Sequence, residues 1–217
     1  MKISKITKAL PLAVLALAFC VPSVMADDQS PSANTVFQLE LPEYLKITSE
    51  KANITKTVTY DNNYTGANLE AMTAKFTVIT NNPAKNIYLQ ATCATNGTPA
   101  KALFCPSEEP ANLFVAFSNE SKLPEAATVA KATSATKSDT PNVILLGITP
   151  ALSHDNFGTA GITPTWDSTA QQVKYVIQNG TGTLAYTTAT KVEANSFSTH
   201  DTMGTYKATL VMTQTSL

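Results

Sequence analysis

Arginine is missing from the chain altogether, and all fifteen basic residues are lysines. Arginine supplies the planar fork that grips phosphates, carboxylates and base edges. Without it, and without a basic stripe, the sequence speaks against nucleic acid as a partner. Charge of either sign is scarce, at 14% of residues, against about a quarter in ordinary soluble domains. Thr, Ala, Asn and Ser fill the gap. Such a surface is solvated by hydroxyls and amides, which suits packing against copies of itself.

Catalytic side chains are equally thin. The two histidines, His154 and His200, each precede an aspartate, Asp155 and Asp201. Neighbours in an extended chain point in opposite directions, so neither pair is a ready dyad. No serine lies in a Gly-x-Ser-x-Gly elbow, and a hydrolase triad would have to be assembled from distant loops. The expectation is a protein that is not an enzyme and takes no cofactor.

What the sequence does have begins at its start. Lys2, Lys5 and Lys8 precede an apolar run over residues 9–21, broken only by Pro11. Val24 and Ala26 then occupy the small-residue positions of a signal cleavage site, which places the cut between Ala26 and Asp27. The run is short for a membrane anchor, which needs about 20 residues, and Phe19 before Cys20 does not fit a lipoprotein signal. Residues 1–26 are therefore expected to be a cleaved signal peptide. The mature chain is expected outside the cytoplasm, soluble or part of an extracellular assembly. Three lysines leave with the signal while all sixteen acidic residues stay, so residues 27–217 carry a formal charge of −4. Their length suits one large domain. Only Cys93 and Cys105 remain, and an even pair in an oxidising compartment reads as one disulfide. It would stabilise the fold by roughly 3 kcal/mol.

Period-two alternation dominates this mature chain. Phe37, Leu39 and Leu41 share one face of an opening strand, Gln38 and Glu40 the other. Pro42 breaks it, and an extended run resumes at Tyr44. Residues 56–60 form a short strand candidate. Met72, Ala74, Phe76 and Val78 alternate, residues 81–83 turn, and Ile87, Leu89, Ala91 and Cys93 continue the rhythm as a strand–turn–strand unit. Further strands are expected at 113–117 and, as a continuous apolar run, at 143–148. Val173, Tyr175 and Ile177 alternate before the turn residues 179–182, and 184–190 return as a hairpin partner. Tyr206, Ala208, Leu210 and Met212 form the closing strand. Residues 120–141 lack an apolar stripe and read as a long surface loop or loose insertion with a short helix. The sum is an all-β antiparallel sandwich in a single domain.

Other features have bland readings. Asp61, Asn62, Asn63 and Asn68 offer mostly amides, too few carboxylates for a calcium loop. Trp166 with Tyr60 and Tyr64 would make a sugar-stacking platform, although a lone Trp in a β domain more often serves as packing. Asn-x-Ser/Thr sequons begin at Asn53, Asn63, Asn96, Asn119 and Asn179. They mark exposed positions only if glycosylated.

Two stretches carry a resemblance. Residues 75–90, Lys-Phe-Thr-Val-Ile-Thr-Asn-Asn-Pro-Ala-Lys-Asn-Ile-Tyr-Leu-Gln, resemble the central strand–turn–strand of fimbrial pilins of the CS1/colonisation-factor type. The ending at 204–213, Gly-Thr-Tyr-Lys-Ala-Thr-Leu-Val-Met-Thr, is similar to their closing strand. The resemblance implies an Ig-like sandwich lacking one strand, carried by a periplasmic chaperone and assembled at an outer-membrane usher into a surface fibre. It also implies the periplasm as a stage in transit to the cell surface or beyond. In that scheme Val36, Phe37, Leu39 and Leu41 would be the donor strand for the next subunit. An ordinary first strand tucked into its own sandwich is the alternative for these residues. For the whole chain the alternative is a secreted adhesin or binding module for a host glycan or receptor.

Overall fold

In a computed structural model, the described residues are 35–58, 69–82, 86–134, 136–154, 162–177 and 182–214. The chain divides between Glu40 and Leu41, and the larger unit holds both sheets. Its strands are β1 (Leu45–Ser49), β2 (Thr73–Thr80), β3 (Asn86–Cys93), β4 (Ala100–Lys101), β5 (Leu103–Phe104), β6 (Leu113–Asn119), β7 (Val143–His154), β8 (Ile162–Asp167), β9 (Gln172–Ile177), β10 (Gly182–Lys191), β11 (Tyr206–Lys207) and β12 (Thr209–Thr213). A helix, α1 (Ala126–Lys131), and a 3-10 turn (Lys137–Asp139) lie between β6 and β7.

The first sheet runs β1-β2-β10-β7-β6-β11, with β5 also on β6. The second runs β12-β3-β9-β8, with β4 on β3. Every pairing is antiparallel. The expected sandwich architecture is present. Phe76, Val78, Leu184 and Tyr186 of the first sheet and Ile87, Leu89, Val173 and Tyr175 of the second meet in one buried core. Tyr175 and Tyr186 touch edge to face with ring centroids 5.4 Å apart. Loss of water around them raises both phenol pKa values, that of Tyr186 to about 12.

That ring contact corrects an expectation about connectivity. Residues 184–190 do not return as a hairpin partner of 173–177. The strand β9 pairs with β3 and β8, whereas β10 pairs with β2 and β7. Hairpin partners would set their apolar residues side by side on one sheet. Here Tyr175 and Tyr186 meet from opposite sheets, because each strand carries a large inward face that only the other layer covers. The same holds for β2 and β3, which are consecutive yet lie in different sheets. The closing strand also divides: Tyr206 pairs with Asn119 in the first sheet, and Leu210 and Met212 pair with Ala91 and Leu89 in the second. Ala208 lies at the crossing and packs against the core.

The apolar run at 143–148 is β7, flanked on both edges by β6 and β10. Val143 and Ile144 point to opposite faces and are both buried. Val143 joins the main core, and Ile144 joins Leu146 and Phe197 in a smaller cluster. Burial on both sides explains why this strand reads as continuous rather than alternating. Residues 56–58 form no strand, and 59–60 lie outside the described residues.

The segment at 120–141 contains the short helix, and it is pinned rather than loose. Val129 of α1 is fully buried in the main core. Lys137 Nζ lies 3.1 Å from Asp201 Oδ1, with the two side chains 9% and 1% exposed. Asp201 also accepts the backbone N–H groups of Asn142 (3.0 Å) and Ser198 (2.9 Å). Burial pulls the Lys137 ammonium below its ordinary pKa, and the Asp201 charge opposes that shift. Asn119 completes the knot. Its Oδ1 accepts the N–H of Ser121 and Lys122, and its Nδ2 donates to Thr202.

The expected Cys93–Cys105 disulfide is absent: both are buried free thiols. Strand register gives the reason. The Cys93 thiol sits beside Ser118, whereas β5 pairs Leu103 with Val115 and Phe104 with Phe114. The chain at Cys105 has thus run past Phe114, away from Ser118. Four residues of strand span about 13 Å, beyond the roughly 4.4–6.8 Å between Cα atoms that a disulfide bridges. Cys105 instead donates to the Glu109 carbonyl at 3.0 Å, and burial raises the pKa of both thiols.

Candidate functional site

The residues expected to form an opening strand form none. Residues 35–44 contain no strand. Val36, Phe37, Leu39 and Leu41 are 85%, 94%, 84% and 74% exposed. Gln38 Nε2 donates to Glu40 Oε1 at 3.2 Å, which closes the polar face of the segment upon itself. An alternating segment with water around every large apolar side chain is unusual, because each such side chain gains about 1.5–3 kcal/mol on burial.

The point where the chain joins the first sheet is sharply set. Asn81 Oδ1 accepts the Tyr44 N–H at 2.7 Å, and its Nδ2 donates to the Pro42 carbonyl at 2.9 Å. The Asn81 backbone N–H closes the clamp on the Tyr44 carbonyl. Pro42, lacking an N–H, cannot extend the ladder at its own position. One asparagine thus starts β1 just after residue 44, and the exposed segment lies immediately before it.

Four strands end the two sheet orders among the described elements: β1 and β11 in the first sheet, and β8 and β12 in the second. Pro164 interrupts the donors of β8, which suits an edge strand guarded against further pairing. β12 has no such guard. Its Thr209 is exposed, Leu210 and Val211 are half-buried and Met212 is buried.

The other sequence candidates divide differently. Trp166 packs against the main core opposite Val173, so its indole serves packing more than an exposed platform. Tyr60, Tyr64, residues 61–63, Asn68 and Asp155 lie outside the described residues. His200 is exposed, while the adjacent Asp201 turns inward to Lys137. Asn53 and Asn96 are exposed, but Asn119 is fully buried with both amide atoms engaged, which is incompatible with a glycan there. Among the described residues no group of three His, Cys, Asp or Glu side chains is placed to hold a metal, and no helix is long and apolar enough to cross a membrane.

Sequence reasoning missed the Lys137–Asp201 pair and the Asn119, Asn142 and Thr202 contacts around it. The partners are far apart in the chain, and no local spacing joins them. No family model, curated protein or solved structure matches this chain.

Proposed function

We propose that the chain is a structural subunit of a bacterial surface fibre, joined to its neighbours by strand exchange. The observation that carries this reading is the segment from Val36 to Leu41, which has strand-like alternation, large exposed apolar side chains and no partner strand among the described residues. Added to a neighbour's open sheet edge, its backbone supplies ladder hydrogen bonds and Phe37, Leu39 and Leu41 fill alternate pockets. Those three side chains contribute on the order of 5–9 kcal/mol when buried. That gain is comparable to the cost of bringing two subunits together, about 4–15 kcal/mol, and the ladder hydrogen bonds add to it.

The outer face of the first sheet is consistent with such packing. Thr77, Ala185 and Ser153 follow one another across it, small and uncharged, with Lys75 beside Thr187 and Ala151 in the next row. In this reading the chain is exported, its partners are copies of itself or related subunits, and it performs no chemistry. A periplasmic chaperone that shields the open edge and an outer-membrane usher that exchanges it complete the assembly implied by the pilin resemblance.

Electron microscopy of residues 27–217 with and without residues 27–42 tests the reading. Fibres from the longer form and monomers from the shorter are expected. Fibres unchanged by the truncation would overturn it.

A further inference from the structure

The two buried thiols point to a constraint on how this fold is reached. Cys93 closes β3, where its ladder partner is Ala100 of the two-residue β4, and β3 gains its longer flanking partners from β9 and β12, at residues 172–177 and 209–213. Until those late segments arrive, only the short pairing of residues 92–93 with 100–101 holds Cys93 in place. Cys105 follows it closely in sequence, and a loop of about ten residues closes in roughly 10–100 ns in an unfolded chain. The thiols therefore meet freely before folding. Afterwards they cannot, because the Cys93 thiol lies at Ser118 while the chain at Cys105 has run past Phe114. Ala102 locks this arrangement between the sheets. Its N–H donates to the Ala91 carbonyl at 2.8 Å, and its carbonyl accepts the Ala116 N–H at 2.9 Å. Bringing the sulfurs together requires β4 and β5 to leave their partners.

We infer that a Cys93–Cys105 disulfide and the native sheet pairing exclude one another, so that oxidation of the unfolded chain by a low-molecular-weight disulfide diverts it from its fold. In the diverting reaction one cysteine thiolate attacks the small disulfide and releases one small thiol. The second thiolate then attacks the mixed disulfide and releases the other. Two electrons pass from the protein to the oxidant, and each cysteine gives up its proton to solvent. Once the sheets close, burial shields both sulfurs from the same reagent. The fold thus acts as a redox checkpoint: a chain that folds first keeps its thiols, and a chain oxidised first does not fold. This inference is independent of the fibre reading.

The test uses the full chain carrying Cys20→Ala, so that Cys93 and Cys105 are the only thiols. Unfolded in denaturant, it is incubated with oxidised glutathione, freed of reagent and diluted to refold. A sample kept reduced is treated in parallel. The expected result is an intramolecular disulfide, seen as the loss of two hydrogens in intact mass, with no recovery of the native near-UV signal of Tyr175, Tyr186 and Trp166. Addition of dithiothreitol restores that signal. The folded protein exposed to glutathione keeps both thiols. A chain that regains the native spectrum with the bond in place would overturn the inference, as would a folded protein that already contains it. Cys105→Ser supplies the control. After treatment with glutathione and then dithiothreitol to clear mixed disulfides, it is expected to refold as the reduced sample does. Failure there would trace the arrest to something other than the bond and would equally overturn the inference.

Discussion

Residues 35–41 and residues 120–142 make an instructive pair. The first segment is the more apolar, with Val36, Phe37, Leu39 and Leu41, yet all four stand in water. The second is dominated by Ala, Thr, Ser and Lys, yet it is tied down by buried Val129 and by the Lys137–Asp201 pair. Hydrophobicity alone therefore does not decide what is buried. A segment is held where a complementary partner exists in the same chain, and the alternating segment finds no such partner among the described elements. In the proposed reading, another subunit presents the edge that covers them.

The comparison is broken most directly by Leu39→Asp. Multimers in a sedimentation experiment should disappear, while the thermal midpoint stays put, since exposed substitutions change stability by about ±0.5 kcal/mol or less. A large fall in the midpoint would mean that Leu39 belongs to its own fold. Lys137→Met probes the other segment. It strands the Asp201 carboxylate in a nearly water-free site, and removing one member of a buried pair costs about 3–5 kcal/mol. The double change Lys137→Met with Asp201→Leu should recover much of that loss, measured by urea denaturation. Val129→Ala opens a cavity under α1 and should cost about 2 kcal/mol in the same assay. Gly204→Ala sharpens the picture of the polar knot. A Cβ there would fall 2.7 Å from Asn119 Oδ1, so the amide must shift, with a cost of about 1 kcal/mol or more. None of the last three substitutions touches the exposed segment, and each should leave the folded fraction competent to assemble.

Most of the longer strands were legible because at least one face is buried, whereas β8, with no fully buried residue, was not. The alternation at 72–78, 87–93 and 206–212 marks the inward residues Phe76, Val78, Ile87, Leu89 and Met212 correctly. Which strands pair was not legible, because alternation records only that a face is covered, not by what. Tyr175 and Tyr186 carry the same local signal whether they sit side by side or face to face. The disulfide expectation failed for a related reason. Cysteine counting knows the compartment and the spacing, but the distance between the sulfurs depends on the register of β5 on β6. The polar knot was invisible because Asp201 read as a neighbour of His200, while its actual partner Lys137 lies in a segment without any pattern. The opening strand at residues 36–41 was expected from the same alternation, yet these residues form no strand and stand exposed, because alternation does not say whether the chain itself supplies a cover.

Binding of a synthetic peptide spanning residues 35–42 to the purified chain tests the strand-exchange account most directly. The account predicts saturable binding that raises the thermal midpoint and halts growth of multimers, with a Leu39→Asp peptide inert. Multimers that keep forming at saturating peptide, with no shift in the midpoint, would contradict it.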